Sequence, residues 1–162
     1  MDIAKRSNRN PLLKPADLKP AIPGMEITCL LNPGVFKLHG KTWLVLRVAE
    51  RPKQIEGIIS FPVYNEAGKI EVLSFAKDDP QLDASDPRVI KYKGQNYLTT
   101  LSYLRLVYSD DDVTFHEDPE YPPIFGKGFW SLSELKTAGL PPWKMVFILH
   151  LLKYRPLLSE LD

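Results

Sequence analysis

The chain carries an internal repeat, and a repeat of this kind restricts the folds open to it. The segment Asn32 to Leu46 reads N-P-G-V-F-K-L-H-G-K-T-W-L-V-L and returns 54 positions later, from Asp86 to Thr100, as D-P-R-V-I-K-Y-K-G-Q-N-Y-L-T-T. Pro, Val, Lys, Gly and Leu fall in register, and Trp43 matches Tyr97. Each copy alternates apolar and polar residues on both sides of a Gly-Lys or Gly-Gln step, the pattern of a β-hairpin with a tight turn. A second pair of candidate strands follows each copy. After the first come Ile58–Tyr64 and Lys69–Phe75 around the turn Asn65-Glu66-Ala67-Gly68; after the second come Tyr103–Ser109 and Val113–His116 around Asp110-Asp111-Asp112. Four short strands per period of about 50 residues is the spacing of propeller blades. A β-sandwich would also use many short strands, but it would not place two copies in register. The expected fold is therefore all-β, a partial propeller of about two blades.

Composition agrees with many short elements joined by turns: 15 prolines and 9 glycines in 162 residues. The formal charge of +1, with no basic run, argues against a nucleic-acid partner. The one cysteine, Cys29, leaves no disulfide framework and no thiol cluster for zinc, and is expected to be a small buried apolar residue. His39, His116 and His150 are scattered without ligand spacing, so no metal is expected, and His39 should lie exposed beside the first hairpin turn. The first ten residues lack the apolar core of a signal peptide. The longest apolar run, Met145 to Leu152, is too short to span a membrane and is broken by His150. No membrane partner is expected, and a cytoplasmic location is the default.

Three motifs in order carry a resemblance. Asn10-Pro11-Leu12-Leu13 followed by Pro15-Ala16-Asp17-Leu18 comes first, Leu31-Asn32-Pro33-Gly34-Val35 starts the first repeat, and Leu44-Val45-Leu46-Arg47-Val48 ends its hairpin. From about Asn10 to Gly128 the chain resembles glycoside hydrolase family 130, the β-mannoside phosphorylases and β-mannosidases, which are five-bladed β-propellers. Asp86-Pro87-Arg88-Val89, Thr100-Leu101-Ser102-Tyr103-Leu104-Arg105 and the Pro-Pro-Ile-Phe-Gly turn ending at Gly126 look closer to the mannosidase-like branch. The resemblance implies a β-mannoside oligosaccharide as partner, no cofactor, and inorganic phosphate as a co-substrate if the reaction is phosphorolysis.

In a propeller the inner strands line a central channel, and Asn32 and Asp86 stand at the starts of the two repeats. Sugar binding calls for hydrogen-bonding forks and aromatic faces, which makes Arg47, Arg88, Arg105 and Tyr103 candidates beside Asn32 and Asp86. Asp86-Pro87 is equally at home as plain turn chemistry. Arg47 stands within an apolar strand, where a charge needs a partner. The Asp110-Asp111-Asp112 run reads as a solvated hairpin turn, with Val113 where the family's turn has Gly.

By resemblance the general acid is the Asp of an E-D-x-R motif in a third copy, due near residue 137, and no such copy is present. Residues 129–162 instead read as a helical tail: Ser131 and Glu134 form a capping-box pattern, and Trp143 to Tyr154 is Leu-rich with helical spacing. Read one base out of phase, codons from Gly128 onward can spell E-D-x-R-V, then D-G, then Y-L-T. Trp143-Lys144 then forces Glu and Met145-Val146 forces Gly. Residues 1–128 are therefore expected to form the propeller part and 129–162 an out-of-frame tail. The chain has no assigned catalytic residue, Asp86 being the one candidate, and it is expected to be inactive alone. The alternative is a non-catalytic carbohydrate-binding or assembly module, self-associating through open sheet edges.

Overall fold

A computed structural model describes residues 7–65 and 67–125; the expected tail at 129–162 and its helix lie outside the described residues. The described chain is all-β, with one short 3₁₀ turn at Pro15–Asp17. Its strands are β1 (Met25–Leu38), β2 (Lys41–Pro52), β3 (Ile58–Tyr64), β4 (Ile70–Ala76), β5 (Leu82–Asp86), β6 (Val89–Tyr92), β7 (Gln95–Leu98), β8 (Leu101–Ser109) and β9 (His116–Glu117). They form a partial propeller: a four-stranded antiparallel sheet of order β1-β2-β8-β9, a two-stranded sheet β3-β4 and a three-stranded sheet β5-β6-β7.

Both copies of the repeat fold as hairpins on two-residue turns. His39 and Gly40 have φ of 50° and 75°, and Lys93 and Gly94 have φ of 49° and 77°. Positive φ at both central residues defines the type I′ turn, whose twist matches that of the strands it joins. Glycine in the second position is what makes each turn affordable to its hairpin.

The second strand pairs are distributed differently from the repeat's expectation. β8 and β9 do not extend the hairpin β6-β7; β8 pairs with β2 along its length, from Thr42↔Ser109 to Glu50↔Leu101. The physical reason lies in the two strands. From Thr42 to Glu50 β2 is buried at every position but Leu44 and Arg47, and β8 alternates apolar groups on both faces, so both belong inside a sheet that is packed on its two sides. β3 and β4, with Ser60 facing Ser74 and Val63 facing Glu71, are more polar and pair with each other. The chain between β2 and β8 is thus an excursion carrying two small sheets. Gln54 fixes its departure: its amide donates to the carbonyls of Pro52 and Ser60 at 2.8 and 2.9 Å and accepts from Ser60 N–H at 3.1 Å.

The large sheet has a core on each face. On one, Leu46 and Val48 of β2 meet Tyr103 and Val107 of β8, closed over by Leu18 from the segment that precedes β1. On the other, Trp43, Val45 and Leu106 pack with Phe36, Tyr108 and Tyr121, Phe36 stacking on Trp43 at 6.2 Å between ring centroids. Each fully buried Leu or Val contributes about 1.5–3 kcal/mol. The excursion has its own aromatic contacts, Phe61 against Tyr97 at 5.0 Å and Phe75 against Tyr92 at 4.1 Å. Among the described residues no helix is long and apolar enough to cross a membrane.

Candidate functional site

Asn32 lies at an irregularity of β1. The register with β2 shifts between Leu31 and Gly34, and Asn32 adopts φ of 47° with its side chain exposed. Such a bulge frees a residue from pairing and re-aims its side chain. β1 is the terminal strand of the sheet, so Asn32 presents its amide at an edge. Arg47 is close by in register: it faces Leu31 of β1 and Leu104 of β8, and is half-buried. The bulge therefore sets an exposed amide beside the strand position of a guanidinium.

The other candidates are placed elsewhere. Asp86 closes β5 and Arg88 follows across the turn; their side chains pair at 3.0 Å, and the Arg88 amide donates to Asp86 Oδ1 at 2.8 Å. Hydrogen bonds from Arg88 hold the Asp86 carboxyl below its ordinary range, and the same contact raises Arg88. A general acid needs the opposite shift, so the local electrostatics work against Asp86 in that role.

Tyr103 and Arg105 face inward. Tyr103 is 0% exposed and donates its hydroxyl to Glu50 Oε2 at 2.6 Å; burial, then that carboxylate, push its pKa up. Arg105 is 6% exposed and donates through Nη1 to the Lys19 carbonyl at 2.6 Å and to Glu117. Both side chains are committed to the protein itself. The residue that organises them, Glu50, is also 0% exposed and accepts from the amides of Ala21 at 3.1 Å and Ile22 at 2.9 Å as well as from Tyr103. The segment before β1 is thus tied across the sheet by Glu50 and Arg105. Sequence reasoning missed Glu50, although it continues the alternate positions Leu44, Leu46 and Val48, and a carboxylate on a core-facing position is a signal in itself.

Two smaller expectations change. Cys29 is exposed, because the first bulge of β1, between Ile27 and Cys29, turns it out of the packed face. The acidic turn is exposed as expected but built rather than merely solvated. Asp111 accepts from the amides of Thr114 and Val113 and from Ser109 Oγ, which holds it far below the usual carboxylate range, and Asp112 bonds Thr42 and pairs with Lys37 at 3.1 Å. His39 is exposed, as its turn position implies. Among the described residues no three His, Cys, Asp or Glu side chains come together as a metal site.

A β-1,2-mannobiose phosphorylase from Listeria innocua is 42% identical over 141 residues, covering 83% of this chain. Over that span the two proteins are homologous. The chain spans 38% of the length of that curated relative. The solved structure of the β-1,2-mannobiose phosphorylase from Listeria innocua in complex with β-1,2-mannobiose matches this fold with a TM-score of 0.60 at 40% identity, over 72% of this chain and 35% of that one. No family model matches the chain.

Proposed function

We propose that the chain is part of a β-mannoside phosphorylase of glycoside hydrolase family 130, contributing the sugar-gripping rim at Asn32 and Arg47 and not the catalytic acid. The observation that carries this reading is the homology over most of the chain with a mannobiose phosphorylase. The bulge at Asn32 supports it by leaving a hydrogen-bonding side chain open at a sheet edge. The acid must protonate a departing glycosidic oxygen, and Asp86, held ionised by Arg88, is poorly suited to it. In the complete reaction inorganic phosphate would be the acceptor. The same reading takes residues after about Gly128 as encoded out of frame, and an in-frame gene with no homologous blade in the next phase would remove that part of it.

The direct test is calorimetric titration of the chain with β-1,2-mannobiose, paired with an assay for mannose 1-phosphate in phosphate buffer. Saturable binding that Arg47→Ala abolishes, without mannose 1-phosphate, is the expected result. Turnover would place an acid within this chain, and binding indifferent to Arg47→Ala would move the sugar elsewhere.

A further inference from the structure

Between the excursion and the start of β8 lies an open cleft of about 330 Å³ whose lining includes neither Asn32 nor Arg47. Pro62, Tyr64 and Ile70 of the β3-β4 sheet form one wall; Asn96 and Tyr97 of β7, with Thr100 beyond it, form the other. The two sheets meet through Phe61, which backs the Tyr97 ring at 5.0 Å and holds it in place. Tyr97 is fixed at its far end too, its hydroxyl donating to Gln95 Oε1 at 2.7 Å. The Tyr64 ring is 37% exposed, and burial of its hydroxyl raises its pKa.

Three properties of this lining define what it suits. Its volume is at the lower end of small-ligand sites, enough for one sugar ring or two partly exposed ones. No charged side chain lines it among the described residues, so it offers nothing to offset an ion's desolvation. Its polar groups are neutral and unspent: the Asn96 amide and the Thr100 and Tyr64 hydroxyls have no hydrogen-bond partner among the described residues. Rigid tyrosine rings beside uncommitted amide and hydroxyl groups match a molecule with an apolar C–H face and a rim of neutral hydroxyls.

We infer that the cleft between the β3-β4 and β6-β7 hairpins is an accessory site for a neutral hexopyranose, separate from the rim at Asn32 and Arg47. The choice of mannose as the sugar rests on the proposed function; the preference for a neutral ring rests on the lining alone. The excursion then has a use of its own, holding an oligosaccharide at a second point away from the rim.

Amide-resolved NMR titration of the full 162-residue chain with mannose and β-1,2-mannobiose tests this, with glucuronate as the charged control. The expected result is saturable shifts at Tyr64, Asn96 and Thr100 in the millimolar range, absent with glucuronate. Removing two neutral hydrogen bonds with Asn96→Ala and Thr100→Val together should weaken the site about tenfold. No saturable shift at these residues, equal response to glucuronate, or an unchanged affinity in the double variant would each overturn the inference. Shifts confined to the neighbourhood of Asn32 and Arg47 would overturn it and leave the proposed function standing. Shifts at the cleft alone would uphold it and count against the rim.

Discussion

Replacing Tyr103 by Phe separates a structural role from a sugar-binding one. The substitution keeps the ring in its place against Leu46, Val48 and Val107 and removes one hydrogen bond, from the hydroxyl to Glu50 at 2.6 Å. A bond to a charged acceptor contributes about 1.5–3 kcal/mol. Glu50 keeps its two bonds from Ala21 and Ile22, so the carboxylate is not stranded, and a loss of about 2 kcal/mol is expected. In urea, with a slope of about 2 kcal/mol per molar, the unfolding midpoint falls by about 1 M. The pH dependence supplies a second, independent reading. Tyr103 is raised above its ordinary value of 10.0, so its contribution is complete below pH 10.0 and is lost as pH climbs through the folded-state value. The stability difference between the parent and Tyr103→Phe should therefore hold below pH 10.0 and shrink above it, by up to about 1.4 kcal/mol per unit. Urea unfolding followed by tryptophan fluorescence at several pH values measures both. A midpoint unchanged at neutral pH, or a difference that persists undiminished above pH 11 on the same ~1.4 kcal/mol scale, would show the reasoning to be wrong. Loss of sugar binding with stability intact would return Tyr103 to the ligand.

Leu18→Ala, which empties the contact between the segment before β1 and the large sheet, should cost about 2–5 kcal/mol in the same urea experiment. Because Leu18 and the Glu50 clamp hold one segment, its amide exchange should accelerate at Ala21 and Ile22 before it does in β2; uniform acceleration would mean that the segment and sheet unfold as one. Asp111 lies below its usual 3.8, so its hold on the turn is present above that value and is lost as pH falls through its lower folded value. Carbon-detected titration should find Asp111 still ionised below the usual carboxylate range, and Asp111→Ala should speed exchange at Val113 and Thr114; an ordinary titration would deny the turn its anchor.

What the sequence determined by itself is local. The two hairpins were legible because a type I′ turn depends on two adjacent residues, and His39-Gly40 and Lys93-Gly94 carry that chemistry in their own backbone preferences. The β3 strand and the exposure of His39 and of the acidic turn follow from the same short-range rules. The sequence places Asn32 at the start of a strand, whereas it lies inside β1 at the register shift between Leu31 and Gly34. The partner of β8 was not readable. β2 and β8 both bury side chains on their two faces and pair across an intervening excursion, and that choice is made by burial summed over the whole sheet.

The same limit governs the site. Alternation along β8 places Tyr103 and Arg105 on one face, but it cannot tell whether that face lines a channel or lies beneath another segment. Here the stretch from Leu13 to Ile22 covers it, held by Glu50 and Arg105. Only the tertiary structure decides this, because the free energy of a buried charge depends on its partners, and those partners stand 28 and 86 positions away in the chain.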